Sequence, residues 1–324
     1  MTTPALAVVL PTRNPDRARL AEVLAALRVQ VPPAGGFELC VVDNGSSPPL
    51  TALEVAAGGT VQLLTEPRAG LIDARLRGVS ATTAPLLVFM DDDTVPARDY
   101  LVQAAAFMDA HPRMATAGGR IHPRFLAPPP DWLPDFTWAL AVRDHGPVPL
   151  EWSAQSGGPL PVWTPIGAGL VARRAALVPG YVRHLERNRA AVERRSWRGP
   201  PLGGVEDKDL VLQTLRAGWT TGYTPSLSLT HVLPASRLQF AYLDTLVPSL
   251  QSLWAQTLHA HGFDLHRPVS PATLPFRRAK AWFVFRSWRS PAHRLRWRST
   301  CGYLEGLAAV FRAPDRYASE SDPH

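Results

Sequence analysis

Cysteine is nearly absent: Cys40 and Cys301 are the whole complement of a 324-residue chain. Two cysteines cannot build a disulfide framework. Without a C-x-x-C pair there is no zinc ribbon or dithiol redox motif, so a reducing compartment is expected. Long apolar runs are missing too, and nothing approaches the roughly 18 residues of a spanning helix. The opening Met1–Leu10 has no basic lead and only a short apolar run, Ala5–Leu10, before Pro11; that is too little for the core of a signal peptide. Lysine is scarce, Lys208 and Lys280 standing against 32 arginines. Repeats and low-complexity tracts are absent. With 46% hydrophobic and 19% charged residues the chain is neither disordered nor a coiled coil. Its length allows one large domain or two modest ones around a sizeable core.

A local absence says more. Between Leu265 and Leu304 there are nine Arg/Lys and no Asp or Glu, and these nine more than account for the formal charge of +7. Basicity is therefore a property of the C-terminal region. It points to an anionic surface met there, not to a chain-wide nucleic-acid footprint, and no nucleic-acid partner is expected. From Phe276 to Trp297 aromatic residues interleave with arginines, a composition that suits a helix lying in the interface of an anionic membrane; the alternative is a packed helix whose arginines snorkel to water. Peripheral membrane contact is expected through 276–298, with the protein cytoplasmic, at the inner face of the plasma membrane.

The first half of the chain alternates strand-length apolar runs with helical spacing. Ala5–Leu10 leads into Pro-Thr-Arg-Asn-Pro-Asp, where Asn14 can cap a helix that carries Leu20, Val23, Leu24 and Leu27. Phe37–Val42 stops at Asp43-Asn44-Gly45-Ser46-Ser47. Val61–Leu64 runs into Glu66-Pro67-Arg68-Ala69-Gly70 and a helix with Ile72, Leu76 and Val79. Pro85–Met90 stops at Asp91-Asp92-Asp93. This alternation predicts an α/β fold with a mostly parallel central sheet flanked by helices, whose ligands sit beyond the carboxyl ends of the strands. From Pro123 to Pro161 the period dissolves into a Pro- and Trp-rich stretch, of the kind that more often binds or covers a ligand than merely connects. Of Trp132, Trp138, Trp152, Trp163 and Trp197, one or two are expected to form an acceptor platform. Beyond Pro234 the chain turns helical and basic. The expected division is a catalytic domain over 1–235, a helical extension over 236–312 and a disordered tail over 313–324.

The strand ends carry the chemistry: Pro11, Thr12 and Asn14 after the first, Asp43 after the second, Arg68 after the third and Asp91–Asp93 after the fourth. In a parallel sheet these share one edge. Three adjacent aspartates raise one another's pKa unless something positive neutralises them, and oxygen ligands favour Mg²⁺ or Mn²⁺. Strand alternation places Asp91 and Asp93 on one side and Asp92 on the other. An isolated triplet more often just caps the next helix; its company at the other strand ends favours the cation. Glu206-Asp207 follows Gly203-Gly204 at a helix start, where the dipole suits carboxylates for structural as well as catalytic reasons. Read alone, Asp43 closes an Asx turn and Arg75 is a solvated helix arginine.

Pro11-Thr12-Arg13-Asn14, Val41–Ser47, the Gly70–Gly78 segment with Ala74-Arg75, Phe89–Asp93, Gly203–Leu210 and His231 occur in an order that resembles family 2 glycosyltransferases of the GT-A fold, over about Leu6 to Leu233. The resemblance implies an inverting, metal-dependent transferase that moves a sugar from a nucleotide-diphosphate donor to a hydroxyl on a glycan or lipid-linked acceptor, in assembly of cell-surface polysaccharide or glycolipid. It implies that Asp43 contacts the base or ribose, that Thr12 and Arg75 line the nucleotide site, and that Asp91-Asp92-Asp93 is the D-x-D motif with Asp93 the metal ligand and Asp91 towards the ribose or metal. It implies that Asp207 is the catalytic base helped by Glu206, and that His231 completes the metal shell, with Arg237 near the phosphates. The basic segment Arg183–Arg198 has no counterpart in the family pattern. Two alternatives remain. A nucleotidyltransferase would carry glycines in the loop after the first strand, where Pro11–Pro15 has none. A non-catalytic sugar- or membrane-binding relative would have lost the acids, and Asp91, Asp93 and Asp207 are all present.

Overall fold

The computed structural model describes residues 3–56, 61–195, 204–313 and 316–317. Its first half alternates as the sequence predicts: β1 (Leu6–Thr12), α1 (Arg17–Arg28), β2 (Phe37–Asp43), the short α2 (Ala52–Val55), β3 (Val61–Thr65), α3 (Leu71–Ala81) and β4 (Leu86–Phe89). Every residue of β1 is buried, as a continuous apolar run covered on both faces must be. Its alternating side chains feed two cores. Leu6, Val8 and Leu10 join Leu20, Leu24 and Leu27 of α1 on one face, while Ala7 and Val9 join Ile72 and Val79 of α3 on the other. The expected cap is displaced by two residues. Asp16, not Asn14, caps α1, its carboxylate accepting from the Ala18 and Arg19 N–H groups at 3.1 Å. Asn14 instead adopts a left-handed φ of 49° and accepts from the Ser47 N–H at 2.8 Å, tying the exit of β1 to the exit of β2.

The chain continues through β5 (Thr94–Pro96), α4 (Tyr100–Ala110), β6 (Met114–Phe125), β7 (Leu150–Ser153), β8 (Leu170–Arg173), α5 (Arg174–Arg194), α6 (Glu206–Arg216) and β9 (Thr220–Leu233). All nine strands form one sheet, β3-β2-β1-β4-β8-β6-β9-β5, with β7 also on β9. Strands β3, β2, β1 and β4 are parallel, and the register sets Thr12 opposite Asp43 and Asp43 opposite Thr65. Their carboxyl ends are therefore level. Beyond β4 the sheet is mixed: β8 is antiparallel to both its neighbours, β5 and β7 run antiparallel to β9, and β6–β9 is parallel. The long β9 shifts its register against β6 between Gly119 and Arg120. There Leu227 presses on Gly119 so closely that a Cβ would lie 1.8 Å from the Leu227 carbonyl oxygen.

The C-terminal region is helical: α7 (Phe240–His261), α8 (Leu274–Val284) and α9 (Pro291–Arg312). The composition change near 235 separates architectures, not cores. Leu258 and Ala260 of α7 and Tyr317 lie in the same apolar cluster as Ala7, Val9, Leu87 and Phe89. Leu243, Val247 and Leu295 pack on Leu133, Phe136 and Leu140 from the irregular stretch. Tyr317 is buried, its N–H donating to the Ala260 carbonyl at 2.9 Å; of the expected tail, 314–315 and 318–324 lie outside the described residues, as do Trp197, Arg198 and Gly203. Among the described residues no helix is long and apolar enough to cross a membrane.

Helices α7 and α9 cross at glycine: a Cβ on Gly302 would lie 2.1 Å from the Pro248 carbonyl oxygen, and one on Gly306 2.4 Å from that of Ser252. Backbone on backbone cannot yield as a side-chain tip can. Gly302→Val is expected to cost about 1–3 kcal/mol, read as a lowered urea midpoint; an unchanged midpoint would show that the helices are free to part.

Candidate functional site

The level strand ends gather most of the expected residues. Pro11 and Thr12 are buried at the end of β1, and the Thr12 hydroxyl donates to the Asp92 carboxylate. Asp92 therefore faces β1, while Asp91 and Asp93, which lie in the turn beyond β4, meet Arg75 and His231 instead. Burial pushes the Asp92 carboxyl up to about 6, the Thr12 bond opposing it. Asp43 closes its own turn, accepting from the Ser46 and Leu50 N–H groups at 2.8 and 2.9 Å. Burial alone would raise its pKa, but these bonds and the Ser46 side chain hold it low. Neighbouring Asn44 staples the next two segments, donating to the Glu66 and Arg68 carbonyls and accepting from the Gly70 N–H. Arg68 itself is exposed, 3.4 Å from Asp73.

The other acids meet around Arg75. This arginine is buried, not solvated as its helix position alone suggested. Its guanidinium lies 5.4 Å over the Phe89 ring and 4.0 Å from the Asp91 carboxylate, and its Nε has no partner. Gly167 makes the approach possible: a Cβ there would lie 2.4 Å from Arg75 Nη2 and 3.5 Å from Asp207 Cβ. The same glycine donates its N–H to Asp207 Oδ2 at 2.6 Å, while the Lys208 N–H donates to Oδ1 at 2.7 Å. Asp207 thus stands at the first turn of α6 with both oxygens oriented by backbone. Burial raises the Asp91 pKa, the Arg75 charge opposes this, and the charges of Asp93 and Asp207 add to the rise. Glu206 is buried on the other side of the helix start, lining a small cavity with Arg75 and Tyr181.

Asp93 lies 3.4 Å from His231 Nε2 and 3.6 Å from Arg237 Nη2. β5 pairs with β9 so that Thr94 is opposite His231, which brings residues 138 positions apart in sequence into contact. The His231 Nδ1 is 2.9 Å from the Leu140 carbonyl; a carbonyl only accepts, so Nδ1 carries the hydrogen and Nε2 turns its lone pair, or a second proton, to Asp93. Against burial, which raises it, His231 and Arg237 hold the Asp93 pKa low. Oxygen ligands with one imidazole fit a divalent Mn²⁺ or Mg²⁺ ion. Asp91, Asp93 and His231 do not close into a tight three-ligand group, however. The tight group among the described residues is a different one: His184, Asp209 and His261, all buried.

That group was not legible in the sequence, because its members come from α5, α6 and α7. Asp209 Oδ2 bonds His184 Nε2 at 3.0 Å and Oδ1 bonds His261 Nε2 at 2.8 Å, with the Tyr317 hydroxyl donating to Oδ1 at 3.3 Å. The two histidines hold Asp209 well below the carboxylate range despite its burial. The hydrogen bonds around it account for the group as a clamp: Asn188 bonds His184 Nδ1 and the His184 carbonyl, so Nε2 is the donor to Asp209. Two residues upstream stands Asp207, so the clamp fixes the helix start that aims it.

Beside Asp207 opens a cleft of about 580 Å³. Its walls are mainly apolar: Trp138 and Leu160 from the irregular stretch, Val162 just beyond it, and Leu250 and Trp254 from α7. Of the five tryptophans expected to supply a platform, Trp138 lines this cleft; Trp152 packs on Phe263 and Trp132 on Phe240. Trp254 and Lys208 also line it and were missed, the first because it lies beyond the expected domain boundary. The Lys208 ammonium donates to the Thr164 carbonyl at 2.6 Å and sits 5.7 Å from the Trp254 ring centroid.

Similarity to known proteins fits this geometry. The family model described as glycosyl transferase family 2 matches residues 7–140, and that described as glycosyl transferase family group 2 matches 86–300. The chain belongs to glycosyltransferase family 2. An uncharacterized glycosyltransferase of Mycobacterium tuberculosis is 32% identical over 219 residues, 68% of this chain and 83% of the relative. An N-acetylglucosaminyltransferase of Azorhizobium caulinodans is 25% identical over 267 residues, 79% of this chain and 60% of the relative. The solved mannosyltransferase PcManGT of Pyrobaculum calidifontis, in complex with GDP-Man and Mn²⁺, superposes with a TM-score of 0.50 at 19% identity, over 96% of this chain and 76% of that one, a likeness of fold. The protein is thus a sugar-transferring enzyme with a GT-A fold.

Burial lowers the Lys208 pKa to about 7, the Asp207 charge opposing it. Between that value and the ordinary lysine range the unfolded chain holds a proton that the folded glycosyltransferase does not, so this residue makes stability rise with pH over that window and fall as pH drops towards 7. Lys208→Met is expected to flatten the rise between pH 7 and 9 by about 2 kcal/mol, measured by urea denaturation; an identical slope in both proteins would show that the amine stays solvated.

Proposed function

We propose that the protein is an inverting, metal-dependent glycosyltransferase that moves a sugar from a nucleotide-diphosphate donor to a hydroxyl acceptor. The observation that carries this reading is the convergence of Asp91 and Asp93, beyond β4, and Asp207, at the start of α6, around Arg75 and His231. The nucleotide lies along the ends of β1 and β2, against Pro11, Thr12, Asn14 and Asp43, with Asp92 fixed by Thr12 and Arg68 at the mouth. Asp91 and Arg75 face the ribose and diphosphate. Asp93 and His231 hold Mn²⁺ or Mg²⁺, with Asp91 beside them and Arg237 towards the phosphates; the ion, when bound, stabilises charge on the leaving diphosphate.

Asp207 is the base. Its carboxylate lines the apolar cleft and is oriented by two backbone N–H groups. It takes the proton of the acceptor hydroxyl as that oxygen attacks the anomeric carbon, while the bond from that carbon to the diphosphate oxygen breaks. Attack opposite the leaving group inverts the centre. One base suffices, because the diphosphate leaves without a proton, unlike the sugar of a glycosidase. Glu206 acts on the Arg75 side, orienting the helix start. The acceptor enters by the cleft, where Trp138 and Trp254 offer flat faces to a sugar ring or a lipid-linked carrier. The similarity to an N-acetylglucosaminyltransferase makes N-acetylglucosamine the first sugar to try, and assembly of a cell-surface glycan the setting.

Asp207→Asn is expected to lower kcat by at least about 10²-fold while nucleoside diphosphate still raises the melting temperature in the presence of Mn²⁺. Asp93→Ala is expected to lose that metal-dependent shift. Activity is read as release of UDP from UDP-GlcNAc or of GDP from GDP-mannose. Near wild-type turnover in Asp207→Asn would overturn the base assignment, and an unchanged metal-dependent shift in Asp93→Ala would overturn the metal assignment.

A further inference from the structure

The basic C-terminal region divides in two. On α9, Arg298 pairs with Asp244 at 3.1 Å, Arg294 lies 4.0 Å from the same carboxylate, and Arg296 pairs with Asp135. Arg294 and Arg298 thus tie α9 to α7 and Arg296 ties it to the irregular stretch, so the run available to a surface is shorter than 276–298. The preceding hairpin is different. Of the eleven residues of α8 only Ala281 is buried. Phe276, Phe283 and Val284 are 82%, 66% and 64% exposed, and Trp288, in the turn before α9, is 58% exposed. Phe276, Lys280, Phe283 and Val284 recur at i, i+4, i+7 and i+8, which puts them on one stripe of the helix.

The stripe is held outward by the inner face. Trp282 packs edge-on against Trp297 of α9 with centroids 4.9 Å apart, and the Trp297 indole donates to the Arg278 carbonyl at 3.0 Å. Phe283 and Trp288 lie edge to face at 6.0 Å, forming an aromatic tip around the turn at Arg286, whose φ is 48°. Flanking the apolar residues are Arg277, Lys280, Arg286 and Arg289, all exposed, and among the described residues no carboxylate pairs with any of them. Exposed Phe and Trp on one ridge, a ring of unpaired cations, and no acid between Leu265 and Leu304 are complementary to one kind of surface: acyl chains below, anionic headgroups at the rim.

We propose that the α8 hairpin, 276–289, is a docking surface for an anionic lipid bilayer, with Phe276, Phe283, Val284 and Trp288 entering the interface and Arg277, Lys280, Arg286 and Arg289 meeting lipid phosphates. The hairpin carries no residue of the catalytic machinery, so the proposal stands apart from the reaction assigned above. It gives the enzyme a place, the anionic cytoplasmic leaflet, where a lipid-linked acceptor would be met.

The test is flotation of the full chain with vesicles of phosphatidylcholine alone and of phosphatidylcholine with about 30% phosphatidylglycerol, at low and high salt. Three proteins are compared: wild type, Phe283→Ser/Trp288→Ser, and Arg286→Glu/Arg289→Glu. Wild type is expected to float with the anionic vesicles, and each double variant to bind at least tenfold more weakly while keeping the wild-type melting temperature and transferase activity. High salt is expected to weaken wild-type binding. Equal flotation of wild type and both variants would overturn the proposal, as would failure of wild type to float. So would a wild-type dimer in light scattering that the Trp288 variant loses without any vesicle binding, which would make a second copy the occupant. Tight wild-type binding to a single-stranded oligonucleotide without flotation would assign the same cations to nucleic acid and also overturn it.

Discussion

Carboxylates crowded at the edge of a sheet must find positive charge, and the structure is organised around meeting that need. Asp91, Asp92 and Asp93 follow one short strand, and Asp207 is brought to them from a helix more than a hundred residues later. Each receives a different answer. Asp92 turns to the Thr12 hydroxyl, Asp91 faces the Arg75 guanidinium, Asp93 is flanked by His231 and Arg237, and Asp207 accepts from two backbone N–H groups. The parallel strands make the edge level. The antiparallel insertion of β8 between β4 and β6, and the β5–β9 pairing, bring the late residues back to it. Gly167 lies where Arg75 and Asp207 come closest, with no room for a side chain.

The helical extension belongs to the same arrangement. Helix α7 forms one wall of the cleft beside Asp207, and its last residue, His261, bonds Asp209 two positions further along α6. His184 from α5 completes the clamp. Asp207 is therefore aimed by three helices meeting at one buried carboxylate, and the region beyond residue 235 both walls the cleft and fixes the start of α6. Buried polar networks of this kind hold one geometry because every alternative strands an unsatisfied group.

The strand-end residues were legible because they follow apolar runs directly: a strand of β1 type can only end where Pro11, Thr12 and Asn14 stand. Their detailed roles were less so. The cap passed from Asn14 to Asp16 because the Ser46 and Ser47 turn claims Asn14, a contact no local pattern announces. Arg75 looked solvated on helical spacing and is buried by Gly167 and Phe89, residues remote in sequence. The clamp of His184, Asp209 and His261 and the walls built by Trp254 and Lys208 join elements from the two sides of the expected boundary. The mixed half of the sheet was not legible because an apolar run does not say which neighbour it pairs with or in which direction, and β8 runs antiparallel to both of its neighbours. The basic C-terminal stretch read as one feature and divides in two, since only tertiary contact shows which arginines find carboxylates.

The central claim, that the acids at the sheet edge share one cation, is tested most directly by anomalous diffraction from crystals grown with Mn²⁺ and a nucleoside diphosphate. The account predicts a manganese peak bonded to Asp93, within reach of Asp91 and His231, with the diphosphate oxygens completing its shell. A peak confined to His184, Asp209 and His261, or a diphosphate seated at the strand ends with no manganese beside Asp93, would contradict it.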